Sequence, residues 1–122
     1  MEYLLIIPGK LPGLNEYVTA ERTSRYMGAK IRRNSEDFVA IGIKQQLRGL
    51  KISNPVELHY TWVEPDMRRD RDNIAFAKKF IQDALVNCGV LKDDGWKYVV
   101  GFSDSFSVDK KNPRIEVRIK EV

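Results

Sequence analysis

The stretch Val56-Glu57-Leu58-His59-Tyr60-Thr61-Trp62 alternates large apolar side chains with polar ones. Successive side chains of a strand point to opposite faces, so this pattern predicts a strand over residues 55–63 with one buried face. The stretch Arg114-Ile115-Glu116-Val117-Arg118-Ile119-Lys120 repeats the alternation and predicts a last strand with one face in water. Both strands need other elements to cover their apolar faces.

A helical spacing of apolar residues lies between these two strands. Residues 73–87 are predicted to form a helix, with Asp72 as the N-cap and Gly89 just after the C-terminal end. A helical side chain returns to the same side about every 3.6 residues, and the residues on that side are Ile74, Ala77, Ile81, Ala84, Leu85 and Cys88.

The first part of the chain predicts one more helix, with less definite limits. Ser35 is followed by acidic residues and predicts a helix start, and Gly49 is a plausible cap after a helix that runs to about Arg48. Residues 18–34 have no clear period, so either helix begins inside them or they form a mobile arm. Residues 9–17 carry turn signals and are predicted to be a loop.

Two further apolar runs complete the set of elements. Residues 2–8 and 97–103 are predicted to be strands, which gives the order β-α-β-α-β-β. The simplest way to bury these faces is an α+β fold, with a mixed sheet of about four strands and helices packed on it. A chain of 122 residues has the length of one domain, so residues 1–122 are predicted to form a single domain.

The composition excludes several classes of site. A single cysteine, Cys88, rules out an intramolecular disulfide, and with only one histidine the chain cannot build a Cys/His zinc site. No stretch approaches the roughly 20 apolar residues of a membrane span. We therefore expect a soluble, cytoplasmic protein without a membrane partner. The net charge of +4 is only mildly basic.

Carboxylates are concentrated in two segments, Arg69-Asp70-Arg71-Asp72-Asn73 and Lys92-Asp93-Asp94-Gly95-Trp96. Crowded carboxylates repel one another, whereas Mg²⁺ prefers oxygen ligands and usually takes one or two protein carboxylates. In an extended segment Asp70 and Asp72 point the same way, and Asp94 would return to them after the helix. Structural alternatives stay open: Asp72 caps the helix, Asp70 pairs with a neighbouring arginine, and Asp93-Asp94-Gly95 is a turn.

Basic residues surround these acids, which indicates that the ligand is itself an anion such as a phosphate. Carboxylates, a divalent metal and basic surroundings are the components of phosphodiester hydrolysis. Ordinary surface charge is the alternative for each basic residue. The predicted DNA contacts are Lys30, Arg32, Arg33, Arg68, Arg69, Arg71 and Lys78.

Separated segments of the chain form a joint pattern. They are Leu11-Pro12-Gly13-Leu14-Asn15-Glu16-Tyr17, Asp70-Arg71-Asp72-Asn73, Lys79-Phe80-Ile81-Gln82-Asp83-Ala84-Leu85, and Gly89 followed by Asp93-Asp94. This pattern resembles the RusA family of Holliday-junction resolvases, small metal-dependent endodeoxyribonucleases often carried by phages and prophages. The resemblance covers most of the chain and implies a RusA-like fold, with Asp70, Asp72 and Asp94 as catalytic carboxylates that bind the metal.

The family also has a catalytic lysine, and here the sequence departs from the family pattern. One turn after the second Asp of the signature, where the best-known members have the lysine, this chain has Phe76. Counting back from Asp83 instead assigns the lysine to Lys79. Lys79 lies seven residues, close to two helical turns, after Asp72 and should share its face. Two alternatives remain open: Lys78 is the catalytic lysine, or both are ordinary solvated lysines.

The resemblance implies a Mg²⁺-dependent enzyme, with Mn²⁺ as an alternative ion and no small-molecule cofactor. It would resolve four-way DNA junctions by paired symmetric nicks, in DNA recombination and repair, and would leave 5′-phosphate and 3′-hydroxyl ends. A junction has near two-fold symmetry, so paired nicks imply a homodimer. Two alternatives are open: a metal-dependent nuclease of other branched DNA such as flaps and forks, and a non-catalytic dimeric protein that binds branched DNA.

Overall fold

The computed structural model describes all 122 residues and contains one four-stranded sheet. Its strands are β1 (Glu2–Pro8), β2 (Val56–Glu64), β3 (Val99–Val108) and β4 (Arg114–Glu121). In the sheet they take the order β1-β4-β2-β3, in which β4 is antiparallel to both neighbours and β3 is parallel to β2. The predicted α+β class with a mixed sheet of four strands is therefore confirmed.

The alternation of the two inner strands places one apolar face against the helices. Leu58, Tyr60 and Trp62 of β2 are almost completely buried, while His59 and Thr61 between them lie on the more open face. On β4 the same face carries Ile115, Val117 and Ile119, all buried. Because side chains alternate along a strand, a single register of this kind buries one face and leaves the other polar.

The helices supply the other half of the core. They are α1 (Leu14–Thr23), α2 (Arg25–Gln46), α3 (Arg71–Ala75) and α4 (Lys78–Asn87). Val39 and Ile43 of α2 and Phe80 and Ile81 of α4 belong to the same buried cluster as the inner strands. None of the helices combines the length and the apolar character that a membrane crossing requires.

The predicted start of the helix at Ser35 is wrong, because α2 begins ten residues earlier. Ser24 is its N-cap, and the Ser24 hydroxyl accepts a hydrogen bond from the backbone N of Met27 at 3.1 Å. Ser35 lies buried inside the helix. Residues 18–34 belong to α1 and α2, with Ser24 between them, rather than to an arm, and α1 begins at Leu14, inside the segment predicted as a loop.

The predicted helix over residues 73–87 is divided into α3 and α4, and its predicted cap is wrong. Asp70 occupies the N-cap position of α3 with extended backbone angles, and Asp72 lies in the first turn. Between Ile74 and Phe80 the backbone forms several i→i+3 hydrogen bonds, which wind the chain more tightly than an α-helix. Contrary to the prediction from the sequence, Asp72 and Lys79 are therefore not related by two regular α-helical turns.

Candidate active site

Asp70 and Asp72 lie at the start of α3, and both are exposed. No arginine forms an ion pair with Asp70, since Arg68 pairs with Asp66 and Arg69 with Glu64. Asp72 accepts a hydrogen bond only from the neighbouring backbone N of Asn73, at 2.9 Å. Two of the structural alternatives, a cap by Asp72 and an ion pair for Asp70, are absent. The two carboxylates keep acceptor capacity at the positive end of a helix turn.

The segment before α1 is fixed to α3 by Asn73. Its side-chain Oδ1 accepts a hydrogen bond from the backbone N of Asn15 at 2.9 Å. Gly13 approaches so closely that a Cβ placed on it would lie 2.5 Å from Asn73 Oδ1 and 2.8 Å from Asn73 O. Arg69 also reaches this segment and donates to the carbonyl of Leu11 at 3.0 Å. The segment 11–17 and the acidic segment are therefore one packed unit.

Phe76, which stands where the family pattern has a lysine, packs against α1. Its ring centroid lies 5.5 Å from that of Tyr17 and 5.6 Å from that of Phe80, while Tyr17 and Phe80 are 6.2 Å apart. Aromatic pairs at these separations are favourable in tilted and edge-to-face arrangements. The position is therefore used for packing between α1 and the two short helices.

Lys79 contacts the acid that follows α4. Its ammonium lies 3.1 Å from Asp83 and 3.8 Å from Asp94, and no other carboxylate is within 4 Å. The hydrogen bond from Lys79 to Asp83 is the main reason that the pKa of Lys79 is raised; burial opposes it, and the charges of Asp83, Asp94 and Glu36 add to it. The raised pKa keeps the Lys79 side chain in its protonated, cationic form. Because the side chain is 61% exposed, solvent and a ligand can reach it.

A cavity of about 340 Å³ adjoins this pair and is lined by Arg32, Glu36, Asp83 and Asp94 among others. Glu36 accepts a hydrogen bond from Asn87 at 3.0 Å and lies 4.0 Å from Arg32. Burial raises the pKa of Glu36, and the nearby charge of Asp83 raises it further, against Arg32 and Asn87, which lower it.

Asp83 and Glu36 were not among the predicted site residues. The available signal was spacing, because Lys79 and Asp83, like Arg32 and Glu36, are four residues apart and neighbours on a helix surface. That Arg32, Glu36 and Asp83 line one cavity depends on the packing of α2 against α4.

Lys78 points away from this cavity, toward the edge strand β3. Its ammonium lies 2.6 Å from Asp104 and 4.0 Å from the centroid of the Phe102 ring. Asp104 also accepts a hydrogen bond from the indole of Trp62 at 2.8 Å. Lys78 is therefore part of a half-buried network that fastens α4 to β3, and it contacts none of the predicted catalytic acids.

The predicted DNA contacts differ in accessibility. The Arg69 side chain is only 14% exposed, and its guanidinium makes two hydrogen bonds to the buried carboxylate of Glu64, at 2.8 and 3.0 Å. Arg68, next in sequence, is 89% exposed. Arg71 is exposed and lies 5.7 Å above the ring of Phe106. The remaining predicted contacts on α2, all exposed, are Lys30, Arg32 and Arg33.

The three predicted metal ligands do not form one cluster in this arrangement. Asp70 lines a cavity of about 320 Å³ beside Arg69 and Phe106, whereas Asp94 lines the cavity beside α4. No group of three or more Asp, Glu, His or Cys side chains lies close enough to hold a metal ion. The residue types suit Mg²⁺, which takes hard oxygen ligands and retains waters. A joint metal site thus stays a prediction.

Comparison with known proteins supplies what the geometry alone does not. Residues 8–120 match the protein family described as Endodeoxyribonuclease RusA. The match covers nearly the whole chain, so the resemblance inferred from the separated sequence segments is confirmed. No curated protein matches the chain.

Proposed function

The chain belongs to the endodeoxyribonuclease RusA family, and from this premise we propose that it is a Mg²⁺-dependent enzyme that resolves four-way DNA junctions. It makes paired symmetric nicks during DNA recombination and repair. The structural observation that supports this most is the 3.8 Å contact between Lys79 and Asp94. It joins the lysine of the helix to the acid that closes the family pattern. The usual lysine position, three residues before Lys79, is occupied by Phe76, which packs against Tyr17.

Asp70, Asp72 and Asp94 are the proposed metal ligands, with Mn²⁺ as an alternative ion. The exposed carboxylates of Asp70 and Asp72, which no arginine neutralises, support this assignment. A divalent ion bound to them would activate a water for in-line attack on the phosphodiester and stabilise the leaving oxygen. Binding such an ion also requires that Asp94 approach the start of α3 more closely than it does here.

Lys79 acts as a fixed positive charge beside the scissile phosphate. Its raised pKa favours the ammonium form at neutral pH, so it serves to stabilise negative charge rather than to accept a proton. Lys78, the alternative, is held by Asp104 on the other side of α4, which supports Lys79 as the catalytic lysine.

Phosphate contacts are proposed for the exposed basic residues. Arg69 and Lys78 are left out, because both side chains are mostly buried in ion pairs with Glu64 and Asp104. The contacts neutralise DNA phosphates and release counterions, so binding weakens as salt is raised. Two copies of the chain are proposed to act on one junction, since paired nicks need two sites related by two-fold symmetry. The proposed contacts are Lys30, Arg32, Arg33, Arg68 and Arg71.

The test is cleavage of a synthetic four-way junction, a flap and a linear duplex of matched sequence, with and without Mg²⁺. Asp72→Asn keeps the size of the side chain and removes its charge, and Asp37→Asn is the matched control on an exposed part of α2. Symmetric nicks in the junction alone, lost in Asp72→Asn but kept in Asp37→Asn, are the expected result.

Other outcomes separate the alternatives. Preferred cutting of the flap would replace the resolvase with a nuclease of other branched DNA. Tight binding of the junction without cutting in either Mg²⁺ or Mn²⁺ would instead favour a non-catalytic dimeric protein that binds branched DNA.

A further inference from the structure

Trp96 is the most exposed large apolar side chain of the molecule. It is 97% exposed, whereas the only other tryptophan, Trp62, is 1% exposed inside the core. An indole offers one of the largest apolar surfaces of any side chain, and tryptophan is highly buried on average. The fold of this chain therefore leaves this apolar surface without an internal partner.

The backbone around Trp96 holds it in one place. The carbonyl of Gly95 accepts hydrogen bonds from the backbone N of both Tyr98 and Val99, each at 3.0 Å. The carbonyl of Tyr98 in turn accepts from the N of Val56 at 2.8 Å, which anchors the turn to the sheet. The exposure of Trp96 thus results from a tight, hydrogen-bonded turn that presents the ring outward.

Basic side chains lie beside the aromatic surface of Trp96. Lys92 and Lys97 are both exposed in the same short connection, which also carries the carboxylates of Asp93 and Asp94, and the Lys97 ammonium lies 5.5 Å from the ring centroid of Tyr98. Asp94, two residues before Trp96, contacts Lys79 at 3.8 Å. Proteins that bind single-stranded nucleic acid combine aromatic platforms with basic side chains in this way.

We propose that Trp96 stacks on an unpaired base of branched DNA, next to the phosphate that is cut. This inference rests on the proposed function and adds a contact that reads the shape of the substrate. Two residues span at most about 7 Å of backbone, so Trp96 lies close to a phosphate bound by the Lys79 ammonium beside Asp94. A linear duplex keeps its bases paired and stacked, whereas a branch point offers an open base face. Stacking of this kind is tolerant of sequence because every base has such a face.

Tryptophan fluorescence tests the contact directly. The protein is titrated with a four-way junction and with a linear duplex of matched sequence, with Ca²⁺ in place of Mg²⁺. Because Trp62 is buried, quenching by acrylamide before DNA is added identifies the emission of Trp96. We expect the junction, and not the duplex, to quench that emission and to protect it from acrylamide.

Two variants measure how much the Trp96 side chain contributes to the affinity for the junction. Trp96→Ala should weaken junction binding by about tenfold or more and leave duplex binding unchanged, whereas Trp96→Phe should stay within about threefold of the parent. Neither change removes an internal contact, because the side chain is 97% exposed.

Each remaining outcome decides the matter. Junction binding without quenching, and with equal affinity for Trp96→Ala, would overturn the stacking contact while leaving the proposed function intact. A different result would assign the Trp96 surface to a second copy of the chain. In that case the fluorescence of Trp96 would change with protein concentration in the absence of DNA, and the Trp96→Ala protein would dissociate into monomers. Selective quenching by the junction in a protein that never cuts would retain the contact and refute the nuclease.

Discussion

The backbone N of Asn15 donates a hydrogen bond to Oδ1 of Asn73, 2.9 Å away, and so ties the start of α1 to the first turn of α3. The two residues are 58 positions apart in sequence. Their contact explains why the segment 11–17 and the acidic segment occur together in one pattern: the first holds the second in position. An asparagine is suited to this task because its short amide side chain supplies a fixed acceptor.

Gly13→Ala should destabilise the protein and disturb the acidic segment. The new Cβ would lie 2.5 Å from Asn73 Oδ1 and 2.8 Å from Asn73 O, so α3 or the segment before α1 must move. Overpacking of this kind lowers the free energy of unfolding by about 1–3 kcal/mol. Urea denaturation measures it. Gly101→Ala is the control, since nothing lies within 4 Å of its added Cβ; an equal loss there would show that the contact with Asn73 is not the cause.

Lys79→Ala and Lys78→Ala should fail in different ways although the residues are adjacent. Lys79→Ala removes an exposed ammonium and should lower junction cleavage about 100- to 1,000-fold with little change in stability. Lys78→Ala leaves Asp104 half-buried without its cation and should lower the free energy of unfolding by about 1–3 kcal/mol. Single-turnover cleavage and urea denaturation of both variants measure the two effects. The assignment of the lysine is refuted if Lys79→Ala cuts at the parental rate.

Arg68 and Arg69 should likewise separate binding from stability. Arg69→Leu leaves the carboxylate of Glu64 buried without a partner and should destabilise the fold by about 3–5 kcal/mol. Arg68→Ala should leave stability unchanged, because that side chain is 89% exposed. It should instead weaken DNA binding and reduce the slope of log affinity against log salt by about one. Salt titrations and urea denaturation of both proteins provide the readouts, and an unchanged slope for Arg68→Ala would remove it from the phosphate contacts.

Glu36→Gln should change how stability depends on pH. The pKa of Glu36 is raised in the folded state, chiefly by burial, above its ordinary value of 4.5. Between the unfolded and the folded pKa the native state therefore binds more protons than the unfolded state, and stability falls as pH rises. The variant lacks this titration, so its stability relative to the parent should increase from about pH 4.5 upward and then level off. Urea unfolding at a series of pH values measures the difference, and a difference independent of pH would contradict the raised pKa.

The strands were predictable because the sheet buries one face. Alternation predicted a strand over residues 55–63 and another over residues 114–120, close to the observed β2 and β4, and it predicted the buried face, since Tyr60 and Trp62 point the same way. The first half of α2 was not predictable by the same means. Its buried positions include Gly28 and Ser35, which are small and carry no hydrophobic signal. Gly28 is small for a spatial reason, as an added Cβ would lie 2.6 Å from the Glu21 side chain.

The candidate site was predictable in its members more than in its geometry. Lys79 and Asp94 were named from the sequence, and their side chains are in contact. Glu36 lines the adjoining cavity only because α2 packs against α4, which the sequence did not indicate. Phe76-Ala77 contains no glycine or proline, so the division between α3 and α4 has no local signal and results from tertiary packing. That division removes the simple counting of turns between Asp72 and Lys79.

The position of β4 has a consequence for how the chain becomes folded. β4 is the last strand in sequence but lies between β1 and β2, and Glu2 pairs with Lys120 across almost the full length of the chain. Pairings between such distant segments form slowly, because a long loop must close first. During synthesis, β1 and β2 therefore wait with unpaired edges until β4 has emerged from the ribosome, and in that interval the nascent protein is open to aggregation.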